Sequence, residues 1–156
     1  MHYITDQHNL FNSSWRQATG DTTFSLNAIF HPSPRVIFER GAERSGNILG
    51  MDHQKGNCIL VQIFMAFSGA ELEFEARRRL TAYHAAVKQE AVKMGAYVPF
   101  EYANYADKTQ DPIATYGEEN MAFLRRVKDR YGPGDVLRKR MPGGFKIPEE
   151  KANVAR

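Results

Sequence analysis

The sequence predicts an α+β fold in which a small antiparallel sheet is covered by helices on one face and completed by association with a second copy of the chain. A period-two apolar pattern in residues 22–32 and an almost unbroken apolar run in residues 58–67 indicate strands. Residues 72–94 carry the clearest amphipathic helix pattern. Few strands and long helices favour a helix-on-sheet layer. So thin a sheet has an exposed edge that a partner chain would cover.

The chain begins with a predicted helix over residues 3–18, followed by Gly20, a residue suited to a left-handed helix stop. The apolar residues at helical intervals are Ile4, Phe11, Trp15 and Ala18. A strand over residues 22–32 is predicted next. Its alternating apolar residues are Phe24, Leu26, Ala28 and Phe30. Pro32 and Pro34 are predicted to end this strand, because proline lacks the backbone N–H that a ladder needs.

The middle of the chain is predicted to hold a short helix in residues 34–46 and a loop in residues 46–57. The apolar run of residues 58–67 indicates a central strand that is covered on both faces. The long helix follows, and Gly95 supplies its stop. Its apolar residues are Leu72, Ala76, Leu80, Tyr83, Val87, Ala91 and Met94.

The last third of the chain is predicted to open with a further strand over residues 98–105. Asp111 and Pro112 fit an N-cap and first-turn pair. A last helix follows and ends at the Gly-Pro-Gly of residues 132–134. The apolar residues of its buried face are Met121, Leu124, Val127 and Tyr131.

The composition excludes several classes of protein. The formal net charge is +3, and the basic clusters at residues 76–79 and 125–130 lie among acidic residues, which is typical of solvated helix faces and argues against a nucleic-acid partner. No apolar run approaches the roughly 18 residues of a membrane span, and no leader peptide is evident, so we expect no membrane association and a cytoplasmic location. Cys58 is the single cysteine, which excludes an internal disulfide. The sequence has no closely spaced pair of histidines of the kind that binds a metal ion, so no metal site is predicted.

Three motifs carry a resemblance to a known family. They are Tyr-Ala-Asn-Tyr-Ala-Asp at 102–107, Tyr-Gly-Glu-Glu-Asn at 116–120 and Gly-Gly-Phe-Lys at 143–146. Together with the upstream Arg-Ser-Gly-Asn-Ile-Leu-Gly-Met at 44–51, they resemble the C-terminal part of fungal FAD-linked oxidases of the berberine bridge enzyme type, in the vanillyl-alcohol oxidase superfamily. The resemblance runs from about Trp15 to Pro148. It implies that residues 1–156 form a single domain similar to the C-terminal half of the substrate domain.

The resemblance does not extend to a flavin-binding domain, and this decides which cofactor we expect. In that family, a separate N-terminal domain holds the flavin. This sequence has no Gly-x-Gly-x-x-Gly, and Gly41, Gly46 and Gly50 are too widely spaced for a tight phosphate turn. We therefore expect the FAD-binding domain to be absent and no cofactor to be used. The alternative is an enzyme whose FAD is supplied by another polypeptide.

The resemblance also implies roles for the residues around the tyrosines. Tyr105 matches a tyrosine near the flavin that can act as a base, and Tyr102 and Asn104 lie beside it on the predicted strand. Alternate residues of a strand face opposite sides, so the two tyrosines need not share a pocket. A phenol has a pKa near 10 and, without flavin beside it, acts as a hydrogen-bond donor at neutral pH.

Candidate site residues are chosen from these positions, from histidines at a strand end and in a loop, and from aromatic residues that could line an apolar cavity. The predicted catalytic residues are Tyr105, His53 and His31. The predicted substrate-binding residues are Tyr102, Asn104, Phe64, Phe67, Phe100, Phe145 and Lys146. The alternative interpretation is that the tyrosines are ordinary wall residues and the phenylalanines ordinary core.

Three functions remain open. The preferred one is a flavin-independent enzyme of fungal-type secondary metabolism, a homodimer that orients a hydrophobic small molecule for a cyclase, isomerase, dehydratase or pericyclase reaction. The first alternative is a fragment or subunit of an FAD-linked oxidoreductase. The second is a non-catalytic small-molecule binding protein.

Overall fold

The computed structural model describes residues 2–148 and confirms the α+β class, because that range contains a two-stranded antiparallel sheet and five α-helices. The α-helices are α1 (His2–Thr19), α2 (Arg35–Glu43), α3 (Glu73–Lys93), α4 (Glu118–Tyr131) and α5 (Val136–Arg140), and the strands are β1 (Ser25–Ser33) and β2 (Cys58–Ala66). Short 3-10 turns at Ala70–Leu72, Ile113–Tyr116 and Pro133–Asp135 join them. No helix in the described range has both the length and the apolar character needed to cross a membrane.

The chain divides into two compact units. The first unit consists of Met1–Ser33 and Cys58–Val98, and the second of Pro34–Asn57 and Pro99–Arg156. The first unit contains the sheet with α1 and α3, and the second contains α2, α4, α5 and the Tyr102–Tyr105 segment.

The first unit is a sheet with helices on one face, as predicted. The strands pair antiparallel, with Leu26 opposite Met65 and Ala28 opposite Ile63 on the side where α1 and α3 pack. Trp15 is fully buried, and its ring packs against Phe24 and Phe67, with centroids 5.9 Å and 6.1 Å away. The buried residues of this core are Phe11, Trp15, Leu26, Ala76 and Tyr83. Phe11 and Trp15 on α1, and Ala76 and Tyr83 on α3, are spaced at the helical period that the sequence shows.

Two hydrogen bonds fix α1 against α3. The hydroxyl of Tyr83 donates to the carbonyl oxygen of Ile4 at 3.1 Å, and Nη1 of Arg79 donates to Oγ of Ser14 at 2.8 Å. Tyr83 thus buries its ring while its polar end finds a backbone partner, which avoids the cost of an unsatisfied buried hydroxyl.

The strands differ from the prediction in two respects. β1 continues through Pro32, which lies opposite Ile59, and ends at Ser33. A proline is tolerated there because each strand of a two-stranded sheet has one edge that needs no ladder donor. β2 is not covered on both faces, since Ile59 is 55% and Phe64 is 39% exposed. Within residues 2–148 it pairs with β1 alone.

The second unit is held by turns and short helices. Phe38 of α2, Met51 of the following loop, and Pro112, Tyr116 and Met121 are its buried residues. Oδ1 of Asp111 accepts the backbone N–H of Ala114 at 3.3 Å, but Pro112 is the N-cap of the 3-10 turn Ile113–Tyr116, so the predicted pair precedes this short turn and not α4 itself. α4 begins after Gly117, whose φ is 90°, and ends at the predicted Gly132.

The predicted third strand over residues 98–105 is wrong. This segment has no ladder partner among the described residues, and it closes in a turn in which the N–H of Tyr105 donates to the carbonyl oxygen of Tyr102 at 3.0 Å. Its β-favouring composition reflects aromatic residues that pack locally. The turn changes which side chains can meet.

Candidate functional site

The turn of residues 102–105 brings its two tyrosines to the same side, in contrast to the strand expectation. Their rings meet edge to face, with centroids 5.1 Å apart and an interplanar angle of 82°. Nδ2 of Asn104 donates a hydrogen bond to the hydroxyl oxygen of Tyr102 at 2.9 Å. Tyr102, Asn104 and Tyr105, here called the tyrosine turn, therefore form one small polar and aromatic surface. Three residues that the sequence selected as site residues are together because of this turn.

The tyrosine turn is open to solvent on one side and rests on protein on the other. Tyr105 is 47% exposed, whereas Tyr102 is partly buried. Phe100 stacks on Tyr116, with centroids 6.3 Å apart. Burial raises the pKa of Tyr116, and the nearby Tyr102 raises it further, so the Tyr116 hydroxyl stays protonated at neutral pH. The arrangement offers hydrogen-bond donors beside an aromatic wall.

Sequence reasoning did not select Tyr116 as a site residue. The only signal for it was its place at the start of the Tyr-Gly-Glu-Glu-Asn motif. The structure shows why the position is special: Tyr116 is buried, it supports Phe100, and its carbonyl oxygen accepts Nδ2 of Asn120 at 3.0 Å.

Two backbone features position this site. The N–H of Glu101 donates to Oγ1 of Thr115 at 3.1 Å, and that hydroxyl donates to the carbonyl oxygen of Pro112 at 2.6 Å. Gly50 has a φ of 72°, and a Cβ added there would collide with the carbonyl oxygen of Tyr116. A left-handed backbone and this close approach both require glycine. The loop over residues 44–57 is thereby held against the Tyr116 turn.

His53 lies in that loop with an exposed side chain. It is part of a turn in which the N–H of Gln54 donates to the carbonyl oxygen of Met51 at 3.0 Å. Its catalytic role stays a prediction.

The Gly-Gly-Phe-Lys motif forms a closed turn. Nζ of Lys146 donates to the carbonyl oxygens of Met141 at 2.5 Å and Gly143 at 2.6 Å, and Gly144 adopts a φ of 71°. Phe145 is partly buried beside it. The ammonium group of Lys146 therefore binds the backbone of its own segment, and its contact with a ligand stays a prediction.

The remaining predicted residues belong to the first unit. Nε2 of His31 lies 3.4 Å from Oε1 of Gln62 across the sheet. Phe64 is opposite Asn27, on the face away from α1 and α3. Phe67 packs on Trp15 and is part of the core, as the alternative interpretation has it. The structure places these three residues in a different unit from the tyrosine turn.

The chain is similar to fungal FAD-dependent enzymes. It is 34% identical over 131 residues to an FAD-dependent monooxygenase of Emericella nidulans, a match that covers 80% of this chain and 26% of that protein. It is also 34% identical over 131 residues to an FAD-dependent monooxygenase of Fusarium proliferatum, covering 81% of this chain and 25% of the relative. An oligopeptidase of Diaporthe leptostromiformis is 30% identical over 128 residues, covering 81% of this chain and 10% of the relative.

The chain spans about a quarter of the length of the monooxygenases it matches. No protein-family model and no solved structure matches it. The relatives confirm the resemblance to fungal FAD-linked enzymes in its coarse form. They also show that the expectation of no cofactor is wrong, because the relatives are FAD-dependent by name.

The described residues do not fit the pyrophosphate of FAD by themselves. Such a group favours a helix N-terminus that follows a glycine turn. Gly69 and Gly117 have positive φ and precede helical segments, but acidic residues occupy the first turns that follow. These residues are Glu71, Glu73, Glu75, Glu118 and Glu119. Their carboxylates already complement the helix dipoles and would repel a phosphate.

Proposed function

We propose that this chain is part of a fungal FAD-linked monooxygenase or oxidase of secondary metabolism, and that it contributes a wall of the substrate pocket. The observation that carries the proposal is the similarity to FAD-dependent monooxygenases over four-fifths of the chain. The motifs at 102–107, 116–120 and 143–146 support a finer assignment, to the C-terminal part of the substrate domain in oxidases of the berberine bridge enzyme type.

The tyrosine turn is the part of the chain that we assign to substrate contact. Since Asn104 donates to the hydroxyl oxygen of Tyr102, the hydroxyl proton of Tyr102 is directed to another acceptor. Tyr105 lies beside it and is 47% exposed. A phenolic O–H can donate a hydrogen bond, so the two side chains are suited to holding a hydroxyl or carbonyl oxygen of a small aromatic or polyketide-like molecule. Their role is to orient the substrate.

We assign FAD binding to polypeptide that corresponds to the remaining three-quarters of the relatives' length. The described residues supply no pyrophosphate site. This chain's contribution is to bind and orient the substrate.

A segment exchange tests the proposal. The matching region of the Emericella nidulans relative would be replaced by this chain, and turnover of that enzyme's own substrate would be followed by oxygen uptake. We expect the hybrid to turn over and Tyr105→Phe to lower kcat/KM at least about tenfold, as for loss of one positioned donor. The matched control is Tyr131→Phe, since Tyr131 is 71% exposed on α4. Equal activity of both variants would refute the assignment of Tyr105, and a folded hybrid without activity would refute the proposal.

We also propose that a second copy of the chain completes the sheet. An isolated two-stranded sheet is marginally stable, and unpaired strand edges readily pair with another chain. Within residues 2–148, β1 and β2 pair only with each other, so each strand has one unpaired edge, and Phe64 of β2 is 39% exposed. Light scattering should therefore give the mass of a dimer, and Phe64→Lys should give a monomer. Phe74→Lys, at a residue 79% exposed on α3, is the control and should leave the dimer intact. A monomeric unmodified chain would contradict this proposal.

A further inference from the structure

A groove lies between α1 and α3 in the first unit. It is open to solvent, has a volume of about 260 Å³ and is lined at its base by Phe11 and Tyr83, which are 6% and 4% exposed. Leu10 is 61% exposed at its edge. This volume lies just below the roughly 300–1,000 Å³ of pockets for drug-sized ligands, so a ligand here would be small.

Two arginines give the groove a positive rim. Nε and Nη2 of Arg78 donate to the two carboxylate oxygens of Glu75 at 2.8 Å and 2.7 Å. Nε of Arg79 donates to the same carboxylate at 2.6 Å, and its Nη1 donates to Ser14. The hydrogen bonds from Arg78 and Arg79 lower the pKa of Glu75 to about 2, so it stays ionised at neutral pH. The carboxylate of Glu75 is thus shared by two guanidinium groups, so that Glu75, Arg78 and Arg79 together carry a net charge of +1.

Donors on both guanidinium groups remain for a second anion. Within the described part of the chain, Nη1 of Arg78 and Nη2 of Arg79 make no hydrogen bond. Arg78 has a side chain 59% exposed, whereas that of Arg79 is 18% exposed and fixed by Ser14 and Glu75. Guanidinium groups favour a carboxylate as the partner for such donors, because charge-assisted hydrogen bonds are stronger than neutral ones.

We infer that the groove between α1 and α3 binds a small anionic amphiphile, with its carboxylate on Arg78 and Arg79 and its hydrocarbon part over Phe11, Leu10 and Tyr83. The apolar floor supplies hydrophobic contact, and the excess positive charge selects the charged end. The site lies in the first unit and does not depend on the proposed flavoenzyme function.

Titration of the whole chain with sodium octanoate tests this site. Trp15 is the single tryptophan, and its ring stacks on Phe11 at 6.2 Å, so its emission reports on the groove floor. We expect a saturable change in emission with octanoate, and a Kd at least tenfold lower than the Kd for 1-octanol or octylammonium. Arg78→Gln should raise the octanoate Kd about tenfold and leave that of 1-octanol unchanged.

The control is Arg126→Gln, because Arg126 lies over the Phe123 ring on α4 of the other unit and should not affect octanoate binding. Equal affinity for octanoate and 1-octanol, or an unchanged octanoate Kd in Arg78→Gln, would overturn the inference. If circular dichroism shows that Arg78→Gln is misfolded, Ala82→Phe replaces it, since Ala82 lines the groove and a phenyl ring would fill it. Octanoate binding that survives this filling would overturn the inference as well.

Discussion

The two units of the chain fix their side chains by different means. In the first, Trp15 and Tyr83 are held by packing between long helices and a sheet, so that their positions follow from helical periodicity. In the second, Tyr102 and Tyr116 are held by turns, a left-handed glycine and side-chain hydrogen bonds to the backbone. The stability of this chain and the geometry of its candidate substrate site therefore depend on different kinds of contact, which substitutions can separate.

The largest effect is expected from Trp15→Ala in the first unit. Trp15 has no exposed surface, and replacing a buried aromatic residue by alanine leaves a cavity that costs about 3–5 kcal/mol. Urea unfolding followed by circular dichroism measures the loss. Leu10→Ala on the same helix is the control, since Leu10 is 61% exposed and should change the free energy of unfolding by less than about 0.5 kcal/mol. Similar losses in both variants would show that α1 is not fixed by its buried face.

A smaller effect is expected from Gly50→Ala in the second unit. The added Cβ meets the carbonyl oxygen of Tyr116 at a φ of 72°, so both backbone strain and a collision oppose it. Gly20→Ala isolates the strain, because Gly20 has a φ of 70° and nothing within 4 Å of an added Cβ. We expect Gly20→Ala to cost about 1–2 kcal/mol and Gly50→Ala at least about 1 kcal/mol more. Equal losses in urea unfolding would show that the loop does not press on Tyr116.

The smallest effect is expected at alkaline pH. Burial raises the pKa of Tyr83 in the first unit and of Tyr116 in the second above the usual 10.0. The folded state therefore holds these phenol protons more tightly than the unfolded state. The resulting stability is fully present below pH 10 and is lost as the pH rises through the raised pKa values. Urea unfolding from about pH 8 to about pH 11 should show this decline.

Phenylalanine variants assign the alkaline decline to one unit or the other. Tyr83→Phe and Tyr116→Phe should each make the decline above pH 10 shallower. A decline that neither variant changes would mean that other groups cause it.

The sequence predicted the first unit better than the second. The helical spacing of Phe11, Trp15 and Tyr83 placed α1 and α3 correctly, because burial against a sheet follows periodicity. The segment over residues 98–105 was predicted as a strand because its residues favour β structure, yet strand formation needs a pairing edge. Its turn depends on hydrogen bonds such as the one between Glu101 and Thr115, which no local pattern reveals.

The sequence predicted only part of the candidate site, because the site depends on a turn and on long-range packing that no local pattern reveals. Tyr102, Asn104 and Tyr105 were recognised from their motif, but the contact between the two rings depends on the turn. Tyr116 was missed because its burial comes from packing with Phe100 and Gly50, which are distant in the sequence. The expectation of no cofactor was based on the lack of a phosphate cradle in this sequence, and the FAD dependence of the relatives shows that this expectation is wrong.

The most direct test of the central claim is the visible absorption spectrum after gel filtration with excess FAD. Two samples would be compared: this chain alone, and the Emericella nidulans relative in which this chain replaces the matching quarter. Our account predicts that the hybrid elutes with a flavin band and that the chain alone elutes colourless. A hybrid that folds but loses flavin would contradict the assignment of this chain to an FAD-linked enzyme. Flavin that remains with the chain alone would contradict the conclusion that its residues form no FAD site.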